Sequence, residues 1–246
     1  MIDTILFDLD GTLLQFTQDE FIAAYFAELK KVFIHMGLDP DLGSKAVWAG
    51  TKAMVLNDGQ KLNSERFWGK FMGVMGLSDE RLKAVEEACD RFYSNEFDAV
   101  KSVVKNSDPG LPRRLIGTLS SKGFNVVLAT NPLFPTCAVT TRLRWVGLEP
   151  RDFCLITDYS NSTYCKPNLD YYREILKKME KEPCQCLMIG NNTNEDMDAG
   201  ILGMKTFLVT DYLENETGMA ISTFRHSTLM ELEAYLASLP GAGEKL

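Results

Sequence analysis

A chain of 246 residues is long enough for one large domain, or for a core with a smaller appendage. With 45% hydrophobic and 24% charged residues it has the balance of an ordinary globular protein, and a formal charge of -8 argues against a nucleic-acid binder, which needs a basic face to neutralise phosphates. The same charge leaves a small anionic substrate open, because one lysine or one metal ion outweighs a diffuse negative field locally.

The opening stretch, MIDTILFDLDG, has neither a basic region nor a long apolar run, so no signal peptide is read there, and no segment approaches the length of a membrane span. Six cysteines are scattered at 89, 137, 154, 165, 184 and 186 and are expected to be reduced thiols in a cytoplasmic protein. The pair Cys184 and Cys186 lacks the second pair or nearby histidine that would complete four zinc ligands. Neither a membrane nor a nucleic acid is expected as a partner, and the sequence says nothing of oligomeric state.

The first predicted strand, residues 4–9, is an apolar run that closes on Asp8, Asp10, Gly11 and Thr12. From 15 to 105 no strand is read. Four amphipathic helices fill that stretch, over 19–37, 43–56, 64–76 and 78–97, with the turn Asn57-Asp58-Gly59 between two of them. A helix is then predicted over 111–123, and a β-branched strand over 124–130 ends at Thr130-Asn131-Pro132. A helix over 136–147 stops at glycine, and a strand over 153–157 leads to a loop bearing Lys166. The next helix, 167–181, takes Pro167 into its first turn and ends in lysines, as the helix dipole favours. A strand over 184–190 closes on the polar loop that begins at Asn191. A short helix over 194–203 places Asp196 one turn in, a strand over 205–210 follows, and the tail from Pro240 reads as a loose end.

Near-continuous apolar strands alternating with helices imply crossover units in a doubly wound parallel sheet. The expected architecture is a Rossmann-like α/β core, residues 1–14 and 106–246, with an α-helical cap domain, 15–105, inserted after the first strand. In such a sheet, ligands bind beyond the carboxyl ends of the strands. That rim collects Asp8, Asp10, Thr130, Asn131, Lys166, Asn191 and Asp196. Each has a plain structural explanation by itself: carboxylates cap turns, and an acid complements a helix start. The functional reading rests on their convergence in one small cavity. His35 and His226 are the only histidines and have no triad context.

The residue types suit phosphoryl transfer. A carboxylate on a rigid strand end, Asp8, can attack phosphorus and form an acyl phosphate. Asp10, on the same side if the strand continues, can protonate the leaving oxygen and later take a proton from water. Gly11 lets the chain turn sharply beside the ligand. Lys166 supplies positive charge, and Thr130, Asn131 and Lys166 are expected to bind phosphoryl oxygens.

These motifs resemble those of the haloacid dehalogenase superfamily of phosphohydrolases. ILFDLDGTLL, 5–14, matches the first motif, VLATN, 127–131, is similar to the second, Lys166 in YCKPN to the third, and MIGNNTNEDMDAG, 188–200, to the fourth. The resemblance spans residues 3 to about 210. It implies a Mg2+-dependent phosphatase acting on a small phosphorylated metabolite, with Asp8 as nucleophile and Asp10 as general acid/base. It also implies metal ligation by Asp8, the Asp10 carbonyl and position 191, with Asp196 as the motif's second acid. Family members usually carry an aspartate where this chain has Asn191. An asparagine oxygen can still ligate, but without charge, so a weaker Mg2+ site is expected, with Asp196 as the first-choice compensating metal ligand ahead of the nearby carboxylates Glu195 and Asp198.

The asparagine keeps two other readings in view: a family member that binds a phosphorylated ligand and turns over poorly, and a metal-independent 2-haloacid dehalogenase. Dehalogenating relatives typically lack the second aspartate of the first motif, and Asp10 is present here. A mutase that moves phosphate within a sugar is a further alternative. In the family, a helical cap in this position closes over the site and sets substrate choice. Trp48, Lys52, Asn57, Arg66, Phe67 and Trp68 are its candidate contacts, although aromatic residues at helical spacing are more often core.

Overall fold

Four residues, Thr4–Phe7, three of them apolar, form strand β1 and are buried on both faces, as the central position of a parallel sheet requires. In the computed structural model, which describes residues 1–244, β1 pairs in parallel with β2 (Asn125–Leu128) on one side and β4 (Cys186–Gly190) on the other. Outward from β2 lies β3 (Leu155–Ile156), and outward from β4 lie β5 (Lys205–Val209) and β6 (His226–Ser227). The strand order is β3-β2-β1-β4-β5-β6, and every pairing is parallel. The chain runs outward from β1 to β3, then returns to the centre and runs the other way. The switch point therefore lies between β1 and β4, and their carboxyl ends flank the crevice where ligands bind in such sheets.

Alternate strand residues feed two apolar layers. Ile5 and Phe7 join Val126, Leu128 and Ile189 on one face, under α5 (Leu111–Ser121), α6 (Thr136–Trp145) and α8 (Leu229–Ser238). Leu6, Val127 and Met188 pack on the other against Tyr171, Tyr172 and Ile175 of α7 (Leu169–Met179). Each large side chain so buried contributes about 1.5–3 kcal/mol.

The long stretch between β1 and α5 is helical: α1 (Gln18–His35), α2 (Pro40–Val55), α3 (Asn63–Met75) and α4 (Asp79–Arg91), followed by a π turn and a 3-10 turn that end at Val103. Its entry and exit are tied together. The Gln15 N–H donates to Asn106 Oδ1 at 2.9 Å, and the Lys105 N–H donates to the Gln15 carbonyl at 2.7 Å. On the far side, the start of α3 is clamped to the core loop after β3. There the Asn63 N–H reaches the Ser162 carbonyl at 2.9 Å, and the Ser64 N–H reaches that of Tyr159 at 2.8 Å.

Several local expectations change. Helix α7 begins at Leu169 rather than at Pro167, because the Asn168 side chain accepts the Asp170 N–H and caps it there. Asp196 stands at the start of a 3-10 turn, Met197–Leu202, and not one turn into a helix. Strand β6 and helix α8 have no counterpart in the sequence reading. The tail is held at Ala242, whose N–H donates to the Lys122 carbonyl at 3.0 Å; residues 245–246 lie outside the described part. All six cysteines are free thiols. Among the described residues no helix is long and apolar enough to cross a membrane.

Candidate active site

The end of β1 explains the placement of both acids. The Asp8 N–H donates to the Ile189 carbonyl at 2.9 Å, so Asp8 still rides on the sheet. The chain then folds back: the Leu14 N–H reaches the Leu9 carbonyl at 2.9 Å, and Gly11 adopts φ +79°. A Cβ on Gly11 would stand 2.2 Å from Asn191 Nδ2, so the glycine also lets the loop after β1 touch the loop after β4. Because the strand does not continue, the Asp10 carboxylate turns aside. Both acids still line one cavity.

Lys166 is 1% exposed and bridges two carboxylates, with Nζ 2.8 Å from Asp8 Oδ1 and 2.6 Å from Asp196 Oδ1. Burial opposes the ammonium, but Asp196 and then Asp8 hold its pKa well above the ordinary lysine value. Burial pushes the Asp8 carboxyl well up, Lys166 pulls it back, and Asp196 and Asp10 push it further. The second Asp196 oxygen accepts the Asn192 N–H at 3.0 Å, so both of its oxygens are occupied within the loop. A Cβ on Gly190 would sit 2.1 Å from Asp196 Oδ2, so the strand end must be glycine for this loop to close.

Asn191 uses both ends of its carboxamide. Its Nδ2 donates to the Tyr212 carbonyl at 2.6 Å, and its Oδ1 accepts from Thr12 Oγ1 at 3.1 Å. The same hydroxyl is 3.4 Å from Asp8 Oδ2. A carboxylate at 191 could not donate to the Tyr212 carbonyl. The asparagine therefore ties the loop after β5 to the site, while Asp8 and Asn191 oxygens meet at Thr12.

Thr130 and Asn131 line the cavity as well. The Thr130 carbonyl accepts from the Thr157 and Tyr171 hydroxyls at 2.7 and 2.9 Å, which fixes the end of β2. Asn131 Nδ2 donates to both Glu195 oxygens, at 3.2 and 3.1 Å. Burial pushes the Glu195 carboxyl up to about 7.

The residue that the sequence did not reveal is Arg142, in α6. It is 0% exposed, and Nη1 pairs with Asp10 Oδ2. Its guanidinium stacks on Phe134 at 4.4 Å from the ring centroid. One Asp10 oxygen has no partner, nor do Arg142 Nε and Nη2. In sequence, Arg142 and Arg144 look alike, two basic residues near the end of one helix. Only the packing separates them: Arg144 is exposed and pairs with Glu149.

The cavity, of about 210 Å3, runs from this rim into the helical stretch. Its charged lining is all acidic: Asp8, Asp10, Glu195, Asp196 and Glu214. A phosphoryl dianion placed against these acids needs a compensating cation. Among the described residues no three His, Cys, Asp or Glu side chains cluster as a metal site. The donors present are nonetheless hard oxygens, from Asp8, Asn191 and the Asp10 backbone, the chemistry that Mg2+ takes with water completing its shell.

Comparison with known proteins agrees with this geometry. Residues 2–202 match the family model described as haloacid dehalogenase-like hydrolase. The chain belongs to that family. Its structural relatives include a 2-haloacid dehalogenase from Pseudomonas syringae pv. Tomato DC3000, with a TM-score of 0.60, 18% identity, and 96% of this chain and 99% of that one covered. A HAD phosphatase from Thermococcus onnurineus gives a TM-score of 0.58 at 17% identity over 96% and 98% of the two chains. YfnB from Bacillus subtilis, bound to magnesium, gives 0.56 at 20% identity over 96% and 98%. At these identities the likeness is one of fold. No curated protein matches in sequence.

As a haloacid dehalogenase-like hydrolase the chain has the expected doubly wound sheet and its four motif segments at one rim. Its rim carries a carboxamide at 191 that is hydrogen-bonded at both ends, and a buried arginine paired with Asp10.

Proposed function

We propose that this hydrolase is a phosphatase that cleaves small phosphomonoesters through an aspartyl-phosphate on Asp8. The observation that supports the reading is a second acid, Asp10, lining the cavity beside Asp8 and held by a buried arginine. An alkoxide leaving group needs a proton, whereas a halide leaves without one, so carbon–halogen cleavage would give Asp10 no leaving group to protonate.

An Asp8 oxygen attacks phosphorus as the bond to the leaving oxygen breaks, and Asp10 gives that oxygen its proton. Water then attacks the acyl phosphate, Asp10 takes the proton back, and Asp8 and inorganic phosphate are released. Lys166 does not line the cavity; it acts on Asp8, fixing one oxygen and supplying positive charge behind it. Asp196 in turn holds Lys166. Arg142 keeps Asp10 in place during the exchange. Thr130 and Asn131 stand where phosphoryl oxygens would lie. Asp8, the Asp10 carbonyl and Asn191 would hold Mg2+, which supplies the charge neutralisation that the acidic wall lacks. The helical stretch 15–105 serves as a cap that keeps bulk water from the intermediate.

The test is turnover of p-nitrophenyl phosphate against titrated Mg2+, with Asp8→Asn beside it. Metal-dependent turnover that the substitution abolishes is expected. Turnover untouched by exhaustive chelation would contradict the metal's part, and turnover retained in Asp8→Asn would contradict the nucleophile.

A further inference from the structure

The half of the cavity away from Asp8 is unlike the rim. It is built by α1, α2 and α3, and its walls are aromatic: Phe21, Phe26, Trp48, Phe67, Trp68 and Phe71 all face it. No lysine, arginine or histidine lines it. Arg142, which lies 4.4 Å from the Phe134 ring centroid and 6.0 Å from that of Phe21, is spent on Asp10. Of the polar candidates named from the sequence, Asn57 and Arg66 are engaged with each other, and neither they nor Lys52 line the cavity.

The phenols that reach the cavity are partly committed. The Tyr25 and Tyr93 hydroxyls bond to each other at 2.6 Å, and Tyr159 accepts from Trp68 Nε1 at 3.2 Å. That leaves one proton of the Tyr25–Tyr93 pair, the Tyr159 proton, Gln18 and Thr51 as the main groups to meet a polar substrate. A sugar buried here would strand several hydroxyls, at about 1–3 kcal/mol each. A second carboxylate or phosphate would find no cation in this half of the cavity. An aromatic ring, by contrast, meets ring edges and faces throughout. The scale also fits: a cavity of about 150 Å3 accommodates benzene, and this one has about 210 Å3 for a ring together with the phosphoryl group.

We infer that the substrate is the phosphomonoester of a small, uncharged aromatic or branched aliphatic alcohol, rather than a sugar phosphate or a phosphorylated acid. This rests on the phosphatase reading and adds the leaving-group class. The walls bind the leaving group's carbon skeleton, and the rim does the chemistry.

The test has two parts. With the whole chain and saturating Mg2+, kcat/KM is measured for benzyl phosphate, glucose 6-phosphate and phosphoglycolate, all esters of alcohols that need protonation to leave. Benzyl phosphate is expected to lead by about 100-fold or more, since one well-filled apolar contact gives about 10–200-fold. Trp48→Ala, a change at a half-exposed side chain that the fold tolerates, is expected to cut that lead about tenfold, chiefly through KM. A higher kcat/KM for the sugar or the acid would overturn the inference and leave the phosphatase reading intact. The second part is binding. Trp48 and Trp68 report on the cavity by fluorescence, and benzyl alcohol titrated into the unmodified protein is expected to quench them saturably. If no phosphomonoester is turned over, the phosphatase reading fails while saturable quenching still supports the aromatic site. Absence of quenching overturns that site.

Discussion

The two halves of the cavity are built on opposite principles. At the strand ends, polar side chains hold one another, although some atoms of Asp10, Asn131 and Arg142 go unpaired: Lys166 spans Asp8 and Asp196, Asn191 spans Thr12 and Tyr212, and Arg142 holds Asp10. Under the helices the walls are rings that bond mostly to one another. The first arrangement fixes a few oxygens to within a fraction of an ångström, which phosphoryl transfer needs. The second excludes water and discriminates by shape and polarity, without direction. On the proposed phosphatase reading, the contrast divides the labour between a rim that sets the reaction and a wall that sets the substrate.

The largest effect is expected at the centre of the rim. Lys166→Met leaves Asp8 and Asp196 buried without their cation, and losing one partner of a buried ion pair costs about 3–5 kcal/mol. Urea unfolding should show that loss. A loss under about 1 kcal/mol would mean that the rim is not held by this ammonium. Next is Arg142→Met. If Arg142 positions Asp10 for proton transfer, ethyl phosphate turnover falls about 100-fold, while p-nitrophenyl phosphate, whose leaving group needs little protonation, falls only a few-fold. Equal losses on both would reduce Arg142 to packing, and recovery in Arg142→Lys would strengthen the assignment.

A smaller effect is expected at Glu195. Burial lifts its carboxyl to about 7. Between the ordinary carboxylate range and about 7, the folded protein keeps a proton that the unfolded chain releases. Stability from this group is thus complete below the unfolded value and is lost as pH rises through about 7. Glu195→Gln escapes that loss, so its advantage over the parent should grow from near zero at pH 4.5 to about 3 kcal/mol at pH 8. An advantage independent of pH would contradict it. The smallest shift is expected for Asn191→Asp. The new carboxylate opposes the Tyr212 carbonyl, so Tm should fall in chelator. It also adds a charged ligand, so the half-saturating Mg2+ concentration should drop about tenfold. Unchanged metal dependence would remove residue 191 from the metal site.

The rim was legible in the sequence because its residues sit at predictable places, the last positions of apolar runs. Asp8, Thr130 and Asn191 each follow a strand whose pattern announces it, and parallel topology does the rest. Lys166, on a loop, was legible only through the order of the motifs. Arg142 was not legible, because it lies in a helix beside a solvated arginine, and its surroundings combine Phe134, a loop residue just before that helix, with Phe21, which is distant in sequence. Tyr212, which receives the Asn191 amide, follows a strand but contributes only a backbone carbonyl, and carbonyls carry no sequence signal. The aromatic wall was half legible. Each ring read as core, which several also are, but a cavity exists only where α1, α2 and α3 leave space between them.

The most direct measurement is to mix Asp10→Asn, in which breakdown of the intermediate should be slowed, with radiolabelled p-nitrophenyl phosphate and Mg2+, quench in acid, and map the label by peptide. Label confined to the peptide containing Asp8, and absent when Asp8→Asn is added to the same protein, is the expected result. Turnover by the unmodified protein, with label on another residue or with none trapped in either form, would contradict it.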